Sequence, residues 1–484
     1  MKSLFSRFLG IWKISENMGE RFVIKGVQFG RTIILARLLF PEDFGLFGLS
    51  AISLGLIEVF FQSGFGSALV REKGNIEKYL HTAWTVQVIR NASLATLVFL
   101  SAPYFGAFFE HTEVVPLIRV MSLALFVAGF ENIGVLYFQK DLIYTKRLAY
   151  NLGCTLAEIV VVIAAAYWLR SPWALVFGAL ANRFACVFFS FYLHPFRPHF
   201  EFDTTVIRHL FKYGKWISLM SIVSFAILQG DNLVIGKLLG AEQLGYYQPA
   251  YALALIPVAE FGRVFGGVLF PMFAKMQEGT ATLREAFVRA VRLVFALTTP
   301  LTLGLYVAAP DFVAVMYGER WVPMVPIISV LALYCLIRTF ESVANPLFMG
   351  IGKPKIQTIG TVIQLLVMLT LIIPLTLQMG VVGAALAVFA GGAAGQIFLL
   401  VSAIYFLHMR FAGIIDMFAV VGIAGAVMFL VLEQTRSVLS TTHGTQLLLL
   451  VTIGGVTYVA TLYLFDLLFG KKILTSLRWI GKRV

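Results

Sequence analysis

Charge is what this chain has least of. Only 13% of its 484 residues are Asp, Glu, Lys or Arg, while 59% are hydrophobic. Soluble domains carry about 25% charged residues, so half that supply leaves too little polar surface to keep a protein of this size in water. Cysteine is scarce too. Cys154, Cys186 and Cys335 all fall inside apolar windows, which excludes a disulfide framework and offers no metal-ligand spacing. There is no G-x-x-x-x-G-K-[ST] loop, so the polypeptide carries no such ATP motor, and H-E-x-x-H and G-x-S-x-G are missing as well. The seven histidines show no ligand spacing, and no metal site and no catalytic residue is expected. Glu201–Phe202–Asp203 is the nearest thing to a carboxylate pair, and it reads as a solvated loop.

What the chain has in abundance is long apolar runs, with a mean hydropathy of +0.86. A membrane-spanning helix needs about 20 mostly apolar residues. Such windows predict an all-α integral membrane protein of about fourteen spans: 22–40, 44–70, 82–103, 115–138, 148–169, 172–193, 213–239, 244–271, 287–309, 322–350, 356–379, 381–407, 416–432 and 447–469. Lys and Arg gather in alternate connectors. The N-terminus, 71–81, 139–147, 194–215, 272–292, 351–356, 408–415 and the C-terminal tail hold twenty-six; the other set holds only Arg170, Arg320 and Arg436. By the positive-inside rule both termini are cytoplasmic. The net charge of +13 is thereby read as topology, with no nucleic acid as partner. Residues 1–21, with Leu4, Phe5, Phe8, Ile11 and Trp12 at helical spacing, read as an amphipathic interfacial helix, and 471–484 as a basic tail. Outer connectors are short, which leaves no room for an extracytoplasmic catalytic domain.

The chain also repeats itself. Residues 35–47 (LARLLFPEDFGLF) lie without gaps over 235–247 (IGKLLGAEQLGYY) at an offset of 200, and the register continues through Phe61/Phe261, Phe65/Phe265, Gly66/Gly266 and Leu69/Leu269. Six spans separate the copies, so both halves have one orientation and would be related by an axis along the membrane normal, with a cleft between them. The expected organisation is a six-helix bundle at 22–194, a cytoplasmic linker at 195–212, a second six-helix bundle at 213–408 and two further helices at 409–470.

The ending R-L-L-F-P-E-D-F-G at Arg37–Gly45 resembles the signature of bacterial polysaccharide transporters, and D-N-L-V-I-G-K-L-L-G-A-E-Q-L-G-Y-Y at Asp231–Tyr247 is similar to their seventh-helix signature. Arg37, Pro41, Gly45, Gly236, Gly240 and Gly245 carry the match. These are Wzx-type flippases, in the superfamily that also holds multidrug exporters and lipid II flippases. The resemblance implies a V-shaped pair of bundles working by alternating access on an undecaprenyl-diphosphate-linked oligosaccharide, for exopolysaccharide, capsule or O-antigen assembly. Membrane lipids, a polysaccharide polymerase and export proteins are the implied partners. A multidrug-type cation exporter and a membrane enzyme acting on lipid-linked sugars are the alternatives.

Polar residues inside spans locate the expected cleft. Ser218, Ser221, Ser224, Gln229, Asp231 and Asn232 fall within an arc of about 160° of one helix, and Lys25, Gln28, Arg31 and Thr32 within about 120° of another. A stripe that long does not face lipid. In the first half Lys25, Arg31, Arg37, Arg90, Arg119 and Arg183 outnumber Glu58, Glu131 and Glu158, a balance suited to a diphosphate. The expected substrate residues are therefore Lys25, Gln28, Arg31, Arg90, Arg183, Ser221, Ser224 and Asn232. Without an ATP motor a proton or sodium ion is the expected driving agent, with Asp231 and Glu58 as carboxylates for it; no cofactor is expected. Glu260/Arg263 and Arg338/Glu341, spaced i,i+3, read as self-neutralising structural pairs.

Overall fold

A computed structural model of the chain describes residues 24–61, 77–141, 143–438 and 442–469. The expected interfacial helix at 1–21 and the basic tail at 471–484 lie outside the described residues. Among the described residues every regular element is helical: α1 (24–38), α2 (Pro41–Phe60), α3 (Glu77–Phe109), α4 (Val114–Gly129), α5 (Leu136–Lys140), α6 (Tyr144–Leu169), α7 (Trp173–Leu193), α8 (Thr204–Lys275), α9 (Thr280–Met316), α10 (Val325–Arg338), α11 (Glu341–Gly350), α12 (Pro354–Phe406), α13 (Phe411–Val438) and α14 (His443–Phe469).

Ten of the described helical segments are long and apolar enough to cross a membrane. Two of them are doubled. α8 breaks at Gly240 (φ 83°, ψ −175°) and α12 at Gly380 (φ 62°, ψ −145°), a backbone region that only glycine enters without steric penalty. With those breaks and the bent pair Val114–Gly129 and Ile133–Lys140 counted separately, the described spans number thirteen. The expected fourteenth would include α1, of which 24–38 is described. Large side chains such as Leu100, Trp168 and Tyr405 are two-thirds exposed or more, as an outer surface solvated by lipid requires.

One expected helix is not continuous. The stretch 115–138 bends by 71° between α4 and the short turn that leads into α5. Asn132 is the cause. It is fully buried, its N–H donates to Ser190 Oγ at 3.0 Å, its Nδ2 donates to the Phe196 carbonyl at 2.6 Å, and its Oδ1 accepts the Gly134 N–H at 2.9 Å. A backbone donor committed to a side chain outside its helix interrupts the helical ladder.

The chain forms two compact units, Met1–Gly245 and Tyr246–Val484. In the first, α3 packs on α4 and α6 on α7, with α4 touching both α2 and α7. In the second, α10 packs on α9 and α12, and α13 and α14 pack on each other and on α9. Ala296, Val307 and Ala308 of α9 meet Val421, Ala424 and Met428 of α13 and Leu450 and Tyr458 of α14 in one buried apolar cluster.

Contacts between connectors test the alternation read from the basic residues. His199 meets His81, Arg284 donates to the His408 carbonyl, and Lys353 lies 3.7 Å from the Phe406 ring centre, all within the basic set. Glu110 of the other set pairs with Lys237, less than a turn from the span end that leads into that set, and His443 pairs with Asp311 within it. Each contact joins residues that lie in, or within a turn of, connectors that the charge pattern assigns to one face.

Candidate functional site

The repeated motif forms a junction within the first unit. Pro41 opens α2 at its first turn, where its missing N–H costs nothing. Asp43 Oδ2 accepts the Phe40 N–H at 2.8 Å and so satisfies the helix entry. A Cβ on Gly45 would lie 1.7 Å from the Ala241 carbonyl oxygen, and a Cβ on Gly245 would lie 1.7 Å from the Pro41 carbonyl oxygen. The contact is reciprocal: position 45 meets 241, and 245 meets 41, an exchange at the offset of 200 read from the sequence. Such self-complementarity is what a two-fold relation between copies produces. Gly236 sits against Leu49 in the same seam, and the Ala241 N–H, freed by the break at Gly240, donates to His111 Nε2 at 3.3 Å. Lys237 Nζ bonds Glu110 Oε1 at 2.6 Å and lies over the Phe108 ring. That ammonium holds the Glu110 carboxyl below its ordinary range. Pro41, Gly45, Gly236, Gly240 and Gly245 are thus backbone residues of a helix–helix seam. Arg37 is exposed.

The cations expected to line a cleft in the first half are partly neutralised. Arg31 on α1 forms an ion pair with Glu158 on α6, whose other oxygen accepts from Asn182 Nδ2 at 3.1 Å. Arg90 feels the attraction of Glu58. Glu131 accepts the Tyr150 hydroxyl at 2.5 Å. Lys25, Arg119 and Arg183 are exposed, and Arg119 lies over the Phe99 ring. Gln28 is half-buried. Of the polar stripe on α8, Ser221 is half-buried, Ser224 is exposed, and Asp231 and Asn232 are buried. Asp231 Oδ1 accepts the N–H of Asn232, whose Nδ2 donates to Gln229 Oε1 at 3.0 Å. The side chain of Ser218 lies outside those described.

The second unit holds a cavity that the charge count did not locate. It has a volume of about 260 Å³ and is lined by the part of α8 that follows Gly240 and by the α10–α11 break, with Arg263, Arg338, Glu341, Ser342 and Asn345 as its polar groups. Arg263 Nη2 donates to Glu260 Oε1 at 2.7 Å and Arg338 Nε to Glu341 Oε2 at 3.4 Å, while Gln357 Nε2 holds the other oxygen of Glu341 at 3.1 Å. The guanidinium of Arg338 lies over the Tyr334 ring. The i,i+3 pairing read from the sequence is present, yet both arginines border open space. Arg263 Nε also donates to the Ala259 carbonyl at 2.9 Å; a guanidinium carries five N–H donors in a planar fork, so such local bonds do not exhaust it. Ser342 and Asn345, three residues apart beside those arginines, are the sequence signal that marks the spot.

The fold also gathers histidines that the sequence leaves scattered. His81 at the start of α3 and His199, 118 residues later, come together with Glu201.

Comparison with known proteins follows from this geometry. A family described as "Polysaccharide biosynthesis protein" matches residues 34–326. The lipopolysaccharide biosynthesis protein WzxC of Escherichia coli K12 is 26% identical over 67% of this chain and 66% of its own. The succinoglycan biosynthesis transport protein ExoT of Rhizobium meliloti is 24% identical over 70% of each. The chain therefore spans about two thirds of the length of these relatives. Among solved structures, the lipid II flippase MurJ in an inward closed conformation superposes with a TM-score of 0.76 at 16% identity, covering 92% of this chain and 98% of that one. That likeness establishes the all-α membrane transporter fold.

Proposed function

The chain belongs to the polysaccharide biosynthesis protein family, and from that premise we propose that it is a flippase, a carrier and not a catalyst, for a lipid-linked oligosaccharide. Its substrate would be an undecaprenyl-diphosphate-linked glycan moved from the cytoplasmic to the periplasmic leaflet of the bacterial inner membrane for exopolysaccharide, capsule or O-antigen assembly. The observation that carries this reading is the cavity bordered by Arg263 and Arg338. At about 260 Å³ it lies below the roughly 300–1,000 Å³ of small-molecule sites, so it suits a phosphate or one sugar and not a whole oligosaccharide. Two arginines against one glutamate in the lining leave guanidinium donors beside the cavity that suit an anionic headgroup better than the organic cations of a drug exporter.

In this reading the bundles are 22–194 and 213–408, joined by the linker 195–212, with 409–470 appended and both termini cytoplasmic. The seam of Pro41, Gly45, Ala241 and Gly245 then lies toward the periplasm and must part when the carrier opens outward. A proton or sodium gradient supplies direction, with Asp231 and Glu58 as the carboxylates for it. A polysaccharide polymerase would receive the glycan.

The test is transport by the purified chain in proteoliposomes. A fluorescent undecaprenyl-diphosphate sugar placed inside should become accessible to an external glycosidase, faster than in empty vesicles. Doubling Arg263→Ala with Arg338→Ala should remove that acceleration. Transport of an organic cation with no movement of the lipid-linked sugar would replace the reading by the exporter.

A further inference from the structure

The non-helical segment 194–203 is laid along the first turns of α3 by specific contacts. The His199 N–H donates to His81 Nδ1 at 3.2 Å, the Glu201 N–H donates to Thr85 Oγ1 at 3.0 Å, and Phe196 and Phe200 pack their rings on His81 and Trp84. The outcome is that two imidazoles and a carboxylate from distant parts of the sequence face one another. The ligand-capable atoms of His81, His199 and Glu201 all lie within 4.8 Å of one another, and His199 Nε2 is 3.4 Å from Glu201 Oε2.

From this geometry we propose that His81, His199 and Glu201 form a binding site for a zinc-class divalent cation that fastens the 194–203 segment to the start of α3. Two ligand atoms about 2.1 Å from a tetrahedral ion stand about 3.4 Å apart, which is the separation His199 and Glu201 already have. His81 completes the site by a contraction of at most about 1.4 Å, from 4.8 Å to the 3.4 Å of a tetrahedral ion, which is within the rotamer freedom of partly exposed side chains. Two histidines and one carboxylate are a recurrent zinc donor set that keeps a fourth position for water. Imidazole nitrogen also selects zinc, cobalt or nickel over magnesium and calcium, which require oxygen cages. Ligation by His81 Nε2 moves the ring proton to Nδ1, so the His199 N–H contact is exchanged for the metal bond; ligation by Nδ1 exchanges it directly. In either case the metal replaces one hydrogen bond by two stronger attachments. The site stands on its own geometry, independent of what the protein carries.

The experiment uses the full chain in detergent, purified without a polyhistidine tag and titrated with Co²⁺. The expected result is about one equivalent bound, with the visible absorption of a tetrahedral ion, displaced by Zn²⁺ and unaffected by Mg²⁺. His81→Ala, His199→Ala and the near-isosteric Glu201→Gln should each weaken binding at least tenfold. The same alanine substitution at His111, His209, His408 or His443 should leave it unchanged. Zn²⁺ should also slow amide exchange across 194–203 in the native chain and not in His199→Ala. No stoichiometric Co²⁺ uptake, or uptake that survives both His199→Ala and Glu201→Gln, overturns the proposal. Because Glu201→Gln keeps the shape of the segment, loss of binding in that variant is not a consequence of misfolding.

Discussion

The paired cations of the first compact unit and the cavity arginines of the second take their partners in different ways. In Met1–Gly245 the partners come from different helices: Arg31 and Glu158 are 127 residues apart, as are Lys237 and Glu110. In Tyr246–Val484 the cavity arginines take their partners three residues away on the same helix or across one turn. A pair across helices is a staple, and neither member is free to greet a substrate without releasing the other. A local pair satisfies the charge at short range and leaves a guanidinium with further donors beside the cavity. For the proposed headgroup site, the comparison favours the cavity whose arginines are locally paired over the half with the larger cation excess.

The largest effect expected separates close backbone approach from open space. Gly45→Ala or Gly245→Ala places a methyl group 1.7 Å from a carbonyl oxygen, so the helices must part. Overpacking of this kind costs about 3 kcal/mol. Each variant should lose several degrees of thermal stability in detergent, whereas Gly267→Ala in the second unit, with nothing within 4 Å of its new methyl, should not. Unchanged melting of both Gly45→Ala and Gly245→Ala would remove the seam from the fold's support.

Next in size is the contrast between staple and site. Glu158→Ala strips Arg31 of its carboxylate, and breaking a partly buried pair costs about 2–3 kcal/mol. Stability should fall, and the exchange Arg31→Glu with Glu158→Arg should recover most of it. Arg338→Ala should instead leave melting within a few degrees and reduce transport of the lipid-linked sugar about tenfold, worth about 1.4 kcal/mol. If Arg338→Ala unfolds the chain and Glu158→Ala only slows transport, the assignment of roles is reversed.

Much of the architecture was legible before any coordinates. Apolar windows located the helices because the bilayer demands length and hydrophobicity, and the offset of 200 marked the two copies of the motif, although the expectation was a cleft between the halves and not the contact that Gly45 and Gly245 make with each other's copy. The alternation of basic connectors agrees with the contacts made on each face. What the residues hid were pairings that depend on packing. No spacing rule connects Arg31 to Glu158 or His81 to His199, and the bend at Asn132 depends on Ser190 and Phe196, which lie about sixty residues away. The cavity was hidden for a different reason. Its arginines have partners at i,i+3, and a net-charge count therefore passes over them, although a locally paired arginine beside Ser342 and Asn345 still has donors to offer.

The smallest effect concerns how the first unit holds its connector, a device with no counterpart described in the second. His194 follows the last residue of α7; its Nδ1 accepts the Phe196 N–H at 3.1 Å, and its ring stacks parallel to Tyr137 at 5.5 Å. Burial first, then Lys146 and Arg197, pull its pKa below the ordinary imidazole value, with Asp141 opposing them. The sign follows from proton counting. Above about pH 6.5 the ring is neutral whether the chain is folded or not, and it contributes no pH dependence. As the pH falls below that value the unfolded chain takes up the proton first, so stability declines until the folded ring titrates as well. Protonation also removes the lone pair that receives the Phe196 N–H. Amide exchange at Phe196 should accordingly speed up, beyond its intrinsic pH dependence, when the protein is taken from pH 7.5 to 5.5. His194→Gln, which cannot titrate, should flatten that extra response. An equal response in the variant would assign the acid sensitivity to another group, and the connector would then be held by Asn132, by the contacts of the His199 and Glu201 N–H groups and by the aromatic packing.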